Sequence, residues 1–236
     1  MGEKRAVAIL SGGLDSTTAA FIGKREGYRL FPVHFNYRHR TEKRELEAFQ
    51  QICDYLEIPQ GERFVIDLPF FQEIGASALV DRQIEVPTDG LKPGIPVTYV
   101  PFRNGIFLSI AGAIGEKVGA EALFIGVVEE DSSGYPDCRE GFIKSFEEAL
   151  NLGTKPETKI EIKTPLIHRR KREIVQLALQ LGVPVELTWS CYQGEEVACG
   201  LCDSCRLRLK GFAEAGVPDP LPYRAYPEWY PSHLRK

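Results

Sequence analysis

Apolar and polar positions along the chain alternate between two kinds of segment. Residues 6–10 form a short continuous apolar run, which predicts a strand buried on both faces, and residues 17–26 follow with a helix-like pattern. Residues 30–35 predict a second strand. Over residues 41–58, Leu46, Phe49, Ile52, Cys53 and Leu56 recur at steps of three and four, which predicts an amphipathic helix with Thr41 as N-cap and Cys53 in the core. A third strand is expected at 64–68, a helix at 104–118, a buried strand at 122–128, a helix at 140–152 and a short strand at 160–162. The last predicted helix, 170–181, carries Ile174, Leu177, Ala178 and Leu181 on one side and is stopped by Gly182 and Pro184. Strands alternating with helices imply right-handed βαβ units, so the predicted fold class is α/β, a Rossmann-like parallel sheet flanked by helices.

Two stretches break this rhythm. Residues 71–101 hold Pro87, Pro93, Pro96 and Pro101 with Gly75, Gly90 and Gly94, and a loop this long is expected to be either a lid or a disordered insertion. From Val217 onward, Pro218, Pro220, Pro222, Pro227 and Pro231 exclude a long helix. Tyr223, Tyr226, Trp229 and Tyr230 there need a surface to pack on, in the same chain or in a neighbouring subunit.

Composition narrows the function. The 236 residues are 43% hydrophobic and 26% charged, which excludes a disordered or fibrous chain and suits one large domain with a small appended module. No apolar run approaches 18 residues, and the first strand is reached without a signal-peptide pattern, so a cytoplasmic protein without membrane partners is expected. A net charge of −4 argues against a broad footprint for nucleic acid and favours small-molecule chemistry.

Cys191, Cys199, Cys202 and Cys205 lie close together in the pattern C-x7-C-x2-C-x2-C, whereas Cys53 and Cys138 stand alone. In a reducing compartment such a cluster indicates a metal, and four thiolates fill a tetrahedral zinc site, leaving no open position for catalysis. One structural zinc is therefore expected, with disulfides or unliganded thiols as the alternatives. Arg206, Arg208 and Lys210 follow and can offset its negative charge, while Trp189 and Tyr192 can pack over it. The division expected is 1–186 for nucleotide binding and catalysis and 187–236 for the zinc-binding segment and tail.

Ser11-Gly12-Gly13-Leu14-Asp15-Ser16 directly follows the first strand and opens the first helix. At the carboxyl end of a parallel strand, glycines let backbone approach a ligand and the exposed amides of the helix start attract an anion. The Walker lysine is missing, and the spacing is not that of a dinucleotide fingerprint. Ser11 and Ser16 offer short hydroxyl donors to a pyrophosphate, and Asp15 can cap the helix or help hold magnesium.

This S-G-G-x-D-S string resembles the PP-loop of the ATP pyrophosphatases, which split ATP between the α and β phosphates to adenylate a substrate. Ser133-Gly134-Tyr135-Pro136-Asp137-Cys138-Arg139, Val100-Pro101-Phe102-Arg103-Asn104, Thr164-Pro165-Leu166 and Trp189-Ser190-Cys191-Tyr192 extend the resemblance. Together they resemble the QueC family over residues 6–210. The resemblance implies conversion of 7-carboxy-7-deazaguanine, ammonia and ATP into a nitrile used to build queuosine. It implies ATP binding along Leu10, Ser11, Gly12, Gly13, Leu14, Asp15, Ser16, Thr17, Thr18, Ala19 and Ala20 and at Arg103. It also implies catalytic roles for Ser11, Asp15, Ser16 and for Lys171, the lysine of the string from Pro165-Leu166 onward.

The chemistry stands without the family name. A carboxylate is a poor acyl donor, and transfer of AMP onto it makes a leaving group that ammonia displaces to give an amide. Adenylating the amide oxygen then lets AMP leave a second time as the nitrile forms. Positioning and stabilisation of phosphate charge suffice, so no enzyme nucleophile is required, including Cys138. A guanine-like edge presents donors, which makes Asp137 the first candidate acceptor, with Glu129, Glu130 and Asp131 behind it. Arg139 or Arg103 can fork onto the substrate carboxylate or a phosphate. Arg169, Arg170, Lys171 and Arg172 oppose the dipole at their helix start, which a phosphate near Lys171 would explain, as would a solvated basic face. The four histidines share no ligand spacing.

Two strings depart from the resemblance, at Phe102, Arg38 and His39. Phe102 stands where many family members have glycine in V-P-G-R-N, and Tyr37-Arg38-His39-Arg40 replaces Y-G-Q-R. If either glycine supplies positive φ or room for substrate, the pocket is altered. Alternatives to the nitrile reaction are another PP-loop amide-forming ligase, a tRNA-modifying relative, or a non-catalytic nucleotide-binding zinc module. The aromatic tail and the glycines from Gly105 to Gly119 point to a homodimer.

Overall fold

The computed structural model describes residues 2–90, 92–129 and 134–235; Glu130, Asp131 and Ser133 of the sequence reading lie outside them. Five strands, β1 (Arg5–Ile9), β2 (Arg29–Asn36), β3 (Phe64–Asp67), β4 (Ala122–Phe124) and β5 (Glu161–Lys163), form one parallel sheet in the order β3-β2-β1-β4-β5. In register, Ala6 faces Leu30 on one side and Ala122 on the other. The chain winds outward from β1 to β3, then returns to lay β4 on the opposite side of β1. Strand order reverses there, and ligands of open α/β sheets bind outside the strand ends at such a point.

Both faces of the sheet are covered. Val7 and Ile9 meet Phe107, Leu108, Ala111 and Ile114 of α4 (Arg103–Val118), with Ile143 of α5 (Glu140–Gly153) in the same layer. Ala6 and Ala8 point the other way, toward α1 (Leu14–Arg25), α2 (Glu42–Tyr55), α6 (Lys171–Gln180) and α7 (Asp203–Glu214). This period-two division is why the continuous apolar run of β1 is a strand and not a helix turn. The remaining helix, α3 (Phe71–Ile74), is a single turn.

The structure corrects several expectations. α1 begins at Leu14, three residues earlier than predicted, so the Leu14-Asp15-Ser16 half of the glycine-rich turn is already helix. β4 ends at Phe124, and Gly126 just beyond it lies against the start of α1. Thr41 does not cap α2 with its side chain, since its Oγ1 donates to Glu45 Oε1 at 3.1 Å. α7 was not anticipated at all. The stretch over 71–101 is neither a free lid nor a disordered insertion in its described residues. Ala78, Leu79, Val80, Val86, Thr98 and Val100 are buried, and Arg40 donates to the carbonyls of Ala78, Asp81 and Ile84. The tail docks on its own chain: Tyr230 and Leu234 pack on Leu209 of α7, and Tyr223 OH donates to Asp219 Oδ2 at 2.7 Å.

Candidate active site and metal centre

The carboxyl ends of β1 and β4 open into a cleft of about 270 Å³ bounded by the start of α1, the start of α4 and residues 189–192. Gly12, at φ +85°, turns the chain out of β1 so that α1 starts beneath the cleft. Gly126 lies against that start, since a Cβ on it would stand 2.6 Å from Ser16 N and 2.7 Å from Ser16 Cα. The first turn of α1 is thus held between two strand ends with its N–H groups facing the cleft, where an anion would satisfy them. Ser11 Oγ and Ser16 Oγ lie 2.9 Å apart, and the Gly13 N–H donates to Ser11 Oγ at 3.3 Å. Leu10 and Leu14 also line the cleft. Thr17, Thr18, Ala19 and Ala20 do not: the two threonine hydroxyls donate back to the carbonyls of Gly13 and Leu14, and the alanines are core. A helix start reaches a ligand through its first turn only, which is why side chains one turn further on point elsewhere.

Lys171 opens α6 on the other side of the cleft, and its Nζ donates to Asp15 Oδ2 at 2.6 Å. Asp15 Oδ1 is buried without a hydrogen-bond partner among the described residues. The sequence separation of 156 residues is closed by α7, which packs on α6 at Gly211; a Cβ there would come within 2.5 Å of Lys171 Cγ and 3.1 Å of its backbone. The basic start of α6 is offset by Glu173, whose carboxylate accepts the Arg170 N–H at 2.8 Å.

Arg103, the first residue of α4, occupies an aromatic box deeper in the cleft. Its Nη1 donates to Tyr37 OH at 3.0 Å, and its guanidinium lies 5.6, 5.9 and 6.0 Å from the ring centres of Tyr37, Phe107 and Tyr135. Tyr192 and Cys138 complete the wall. Burial pushes the Tyr37 phenol well above its ordinary value, so it is a neutral donor. Burial likewise pushes the Cys138 thiol up to about 12, which removes it as a nucleophile near neutral pH.

The other carboxylate and arginine candidates are placed differently. Asp137 is buried, but its Oδ2 accepts the N–H of Asn104 at 2.8 Å and so caps α4 immediately behind Arg103. Neither Asp137 nor Arg139 lines the cleft. The extended backbone at Arg139, φ −76° and ψ 143°, alternates Cys138 inward and Arg139 outward into solvent. Glu129 caps α5 by accepting the Glu140 N–H at 3.2 Å.

Glu45 and Phe107 line the cleft though the sequence did not name them, and Tyr37, Tyr135 and Ser190, named there only within longer strings and given no role, line it too. Glu45 lies 3.1 Å from His39 Nε2, and the His39 ring stacks on Tyr37 at 4.1 Å. Burial would raise the Glu45 carboxyl, yet His39, His34 and the Thr41 hydroxyl together hold it below its ordinary value. The one available signal was the position of Tyr37 and His39 just past the end of β2, where side chains reach a ligand at a strand terminus.

Cys191, Cys199, Cys202 and Cys205 bring their four sulfurs within 4.8 Å of one another, and Cys199 Sγ and Cys205 Sγ are 3.9 Å apart. A tetrahedron of zinc–sulfur bonds has edges of about 3.8 Å. Backbone N–H groups of Gly194 and Cys199 donate to Cys191 Sγ at 3.2 Å each, and that of Cys202 to Cys199 Sγ at 3.3 Å, which suits thiolates. The residues present therefore fit a structural zinc, and Trp189 and Tyr192 pack beside them. Arg208 is close enough to Cys205 to act on its charge, although its hydrogen bonds go elsewhere. It is buried and makes a fork onto Asp219, with Nε to Oδ2 at 2.7 Å and Nη2 to Oδ1 at 3.1 Å. The metal site touches the phosphate loop directly, because the Trp189 N–H donates to the Gly12 carbonyl at 2.8 Å.

Comparison with known proteins gives the same picture. The family model for the queuosine biosynthesis protein QueC matches residues 5–216. The 7-cyano-7-deazaguanine synthase of Nautilia profundicola is 68% identical over 221 residues, covering 94% of this chain and 99% of that protein. Its counterpart in Nitratiruptor sp. is 63% identical with the same coverage. Among solved structures, a 4-thiouridine synthetase–RNA complex with bound ATP is similar with a TM-score of 0.51 and 22% identity, covering 76% of this chain and 41% of that one. That likeness is one of fold alone.

Proposed function

The chain belongs to the QueC family of queuosine biosynthesis proteins, and we propose that its cleft holds the triphosphate of ATP on the start of α1 while a carboxyl oxygen of the second substrate attacks the α phosphorus. The reaction is the ATP-dependent ligation that converts 7-carboxy-7-deazaguanine and ammonia to 7-cyano-7-deazaguanine. In the first stage the acid oxygen bonds to phosphorus as pyrophosphate leaves. Ammonia then adds to the activated carbon, and AMP departs with that oxygen, giving the amide. In the second stage the amide oxygen takes AMP from another ATP. Loss of AMP and of the two amide protons closes the carbon–nitrogen triple bond.

The observation that carries this reading is the Asp15–Lys171 pair at the helix start. Asp15 would hold magnesium, and Lys171, freed by it, would face the phosphates, with Ser11, Ser16 and the N–H groups of the first turn as further donors. These groups are already fixed before the charge develops, which is how most of the rate enhancement is supplied without a nucleophile. Asp137 acts through α4, fixing the residue that follows Arg103. The same reading places free ammonia as nitrogen source, a homodimer in the cytoplasm, no nucleic-acid partner, and a division of labour between residues 1–186 and a zinc-bearing segment 187–236. Among the described residues no helix is long and apolar enough to cross a membrane.

Mass spectrometry of a reaction with acid labelled in both carboxyl oxygens tests it. The expected result is nitrile, two AMP per nitrile, and one labelled oxygen in each AMP. Amide as end product would make the protein a shorter-acting ligase, and ATP binding without new species would make it a nucleotide-binding module.

A further inference from the structure

We propose that Arg103 is the receptor for the substrate carboxylate and not a ligand of a nucleotide phosphate. This deepens the reaction assigned above and rests on it. Among the described residues no carboxylate comes within ion-pair distance of Arg103, although it is enclosed by the walls of the cleft. Its Nη1 is engaged by a neutral phenol, Tyr37, and its Nε is buried with no partner. A guanidinium stays charged at any physiological pH, and the nearest acid, Asp137, acts on it from behind while its own Oδ2 is taken by the Asn104 N–H. The partly buried guanidinium thus keeps Nε without a partner, a donor left over for an arriving anion.

The surroundings select which anion. A triphosphate requires many donors, and the start of α1 with Lys171 already provides them on the other wall. Arg103 instead sits among the faces of Tyr37, Phe107 and Tyr135 with Val33, Phe35 and Val127 beyond. Aromatic faces suit a flat conjugated ring, and a fork of N–H donors suits a carboxylate lying in the plane of that ring. Tyr37 strengthens the match. Because its oxygen accepts from Arg103, its own hydrogen is available to a second oxygen of the bound acid. An amide in the same place offers one acceptor where the acid offers two, and turns N–H groups toward N–H groups. The receptor therefore distinguishes the starting acid from the amide formed halfway.

Equilibrium binding of the acid and of the amide to zinc-loaded protein without ATP tests this. Arg103→Met is expected to weaken the acid about 100-fold and the amide less than about 10-fold, so that the preference for the acid collapses. Arg103→Lys keeps a charge but loses the fork, and is expected to weaken the acid by about 10-fold. ATP affinity should move much less than that of the acid. Should Arg103→Met lower the melting temperature or zinc content, the Lys variant carries the comparison. Equal losses for acid and amide, or an ATP loss as large as that of the acid, overturns the receptor while leaving the reaction in place. Wild-type protein that binds neither compound overturns the reaction itself.

Discussion

Asp15 and Lys171 neutralise each other across 2.6 Å at the mouth of the cleft, and each is only partly exposed. Removing either one is therefore not symmetrical in effect. Lys171→Met leaves Asp15 facing an incoming triphosphate with like charge and deletes a donor aimed where charge builds up, so kcat/KM should fall by about 100- to 1,000-fold. Asp15→Ala should abolish AMP formation by removing the group that would hold magnesium. Zinc content should be unchanged in both, and a Lys171→Met enzyme with kcat/KM within a few-fold of wild type would sink the assignment. Two other single residues show what a departure from a family pattern means physically. Arg38 and Phe102, which stand where relatives were expected to have glycine, adopt φ of +62° and +53°. Both residues are therefore left-handed, at a cost of about 1–2 kcal/mol each. Phe102 offsets part of it by laying its ring over Gly105 and against Phe142, with centroids 5.7 Å apart.

At the scale of elements, the site depends on how β1 and β2 end. His34 of β2 is buried, stacks near Phe49 at 5.1 Å and places Nδ1 3.1 Å from the Leu10 carbonyl, directly under the phosphate loop. Burial pushes its imidazole below the ordinary 6.5. Between the folded and unfolded values the unfolded chain binds the extra proton, so stability is full above about 6.5 and is lost as pH falls through the folded value. The slope from this one group is at most about 1.4 kcal/mol per pH unit. Urea midpoints at about pH 7.5 and about pH 5.5 should diverge less in His34→Gln than in wild type, and identical divergence would remove His34 as the source. The phosphate loop and the five strands were legible because each is a local pattern: a continuous apolar run, or glycines between strand and helix. α7 was not legible because a buried arginine, Arg208, and an interior glycine, Gly211, break its apolar stripe at Cys205, Leu209 and Phe212. The aromatic box was invisible for a different reason. Tyr37, Phe107, Tyr135 and Tyr192 come from four distant segments that only the strand order brings together.

Across the whole molecule, α7 ties the four-cysteine cluster to the proposed triphosphate site through three residues spaced three apart. Cys205 belongs to the cluster that would hold the metal, Arg208 forks onto Asp219 of the tail and donates to Thr188 Oγ1 at 2.6 Å, and Gly211 seats Lys171. From the other end of the cluster, the Trp189 N–H reaches the carbonyl of Gly12. The two arms of the phosphate site are thus braced by one four-thiolate centre, whose binding energy is also folding energy. Cys202→Ser leaves three thiolates and should lower zinc per chain, melting temperature and ATP affinity together, with hydrogen exchange rising first over residues 187–215. Chelation of zinc from the wild-type protein should reproduce that pattern with no change in covalent structure. A metal-depleted protein that melts as before and binds ATP as tightly would mean that Gly12 and Lys171 are held by packing alone, and that the cysteines contribute nothing to the site they border.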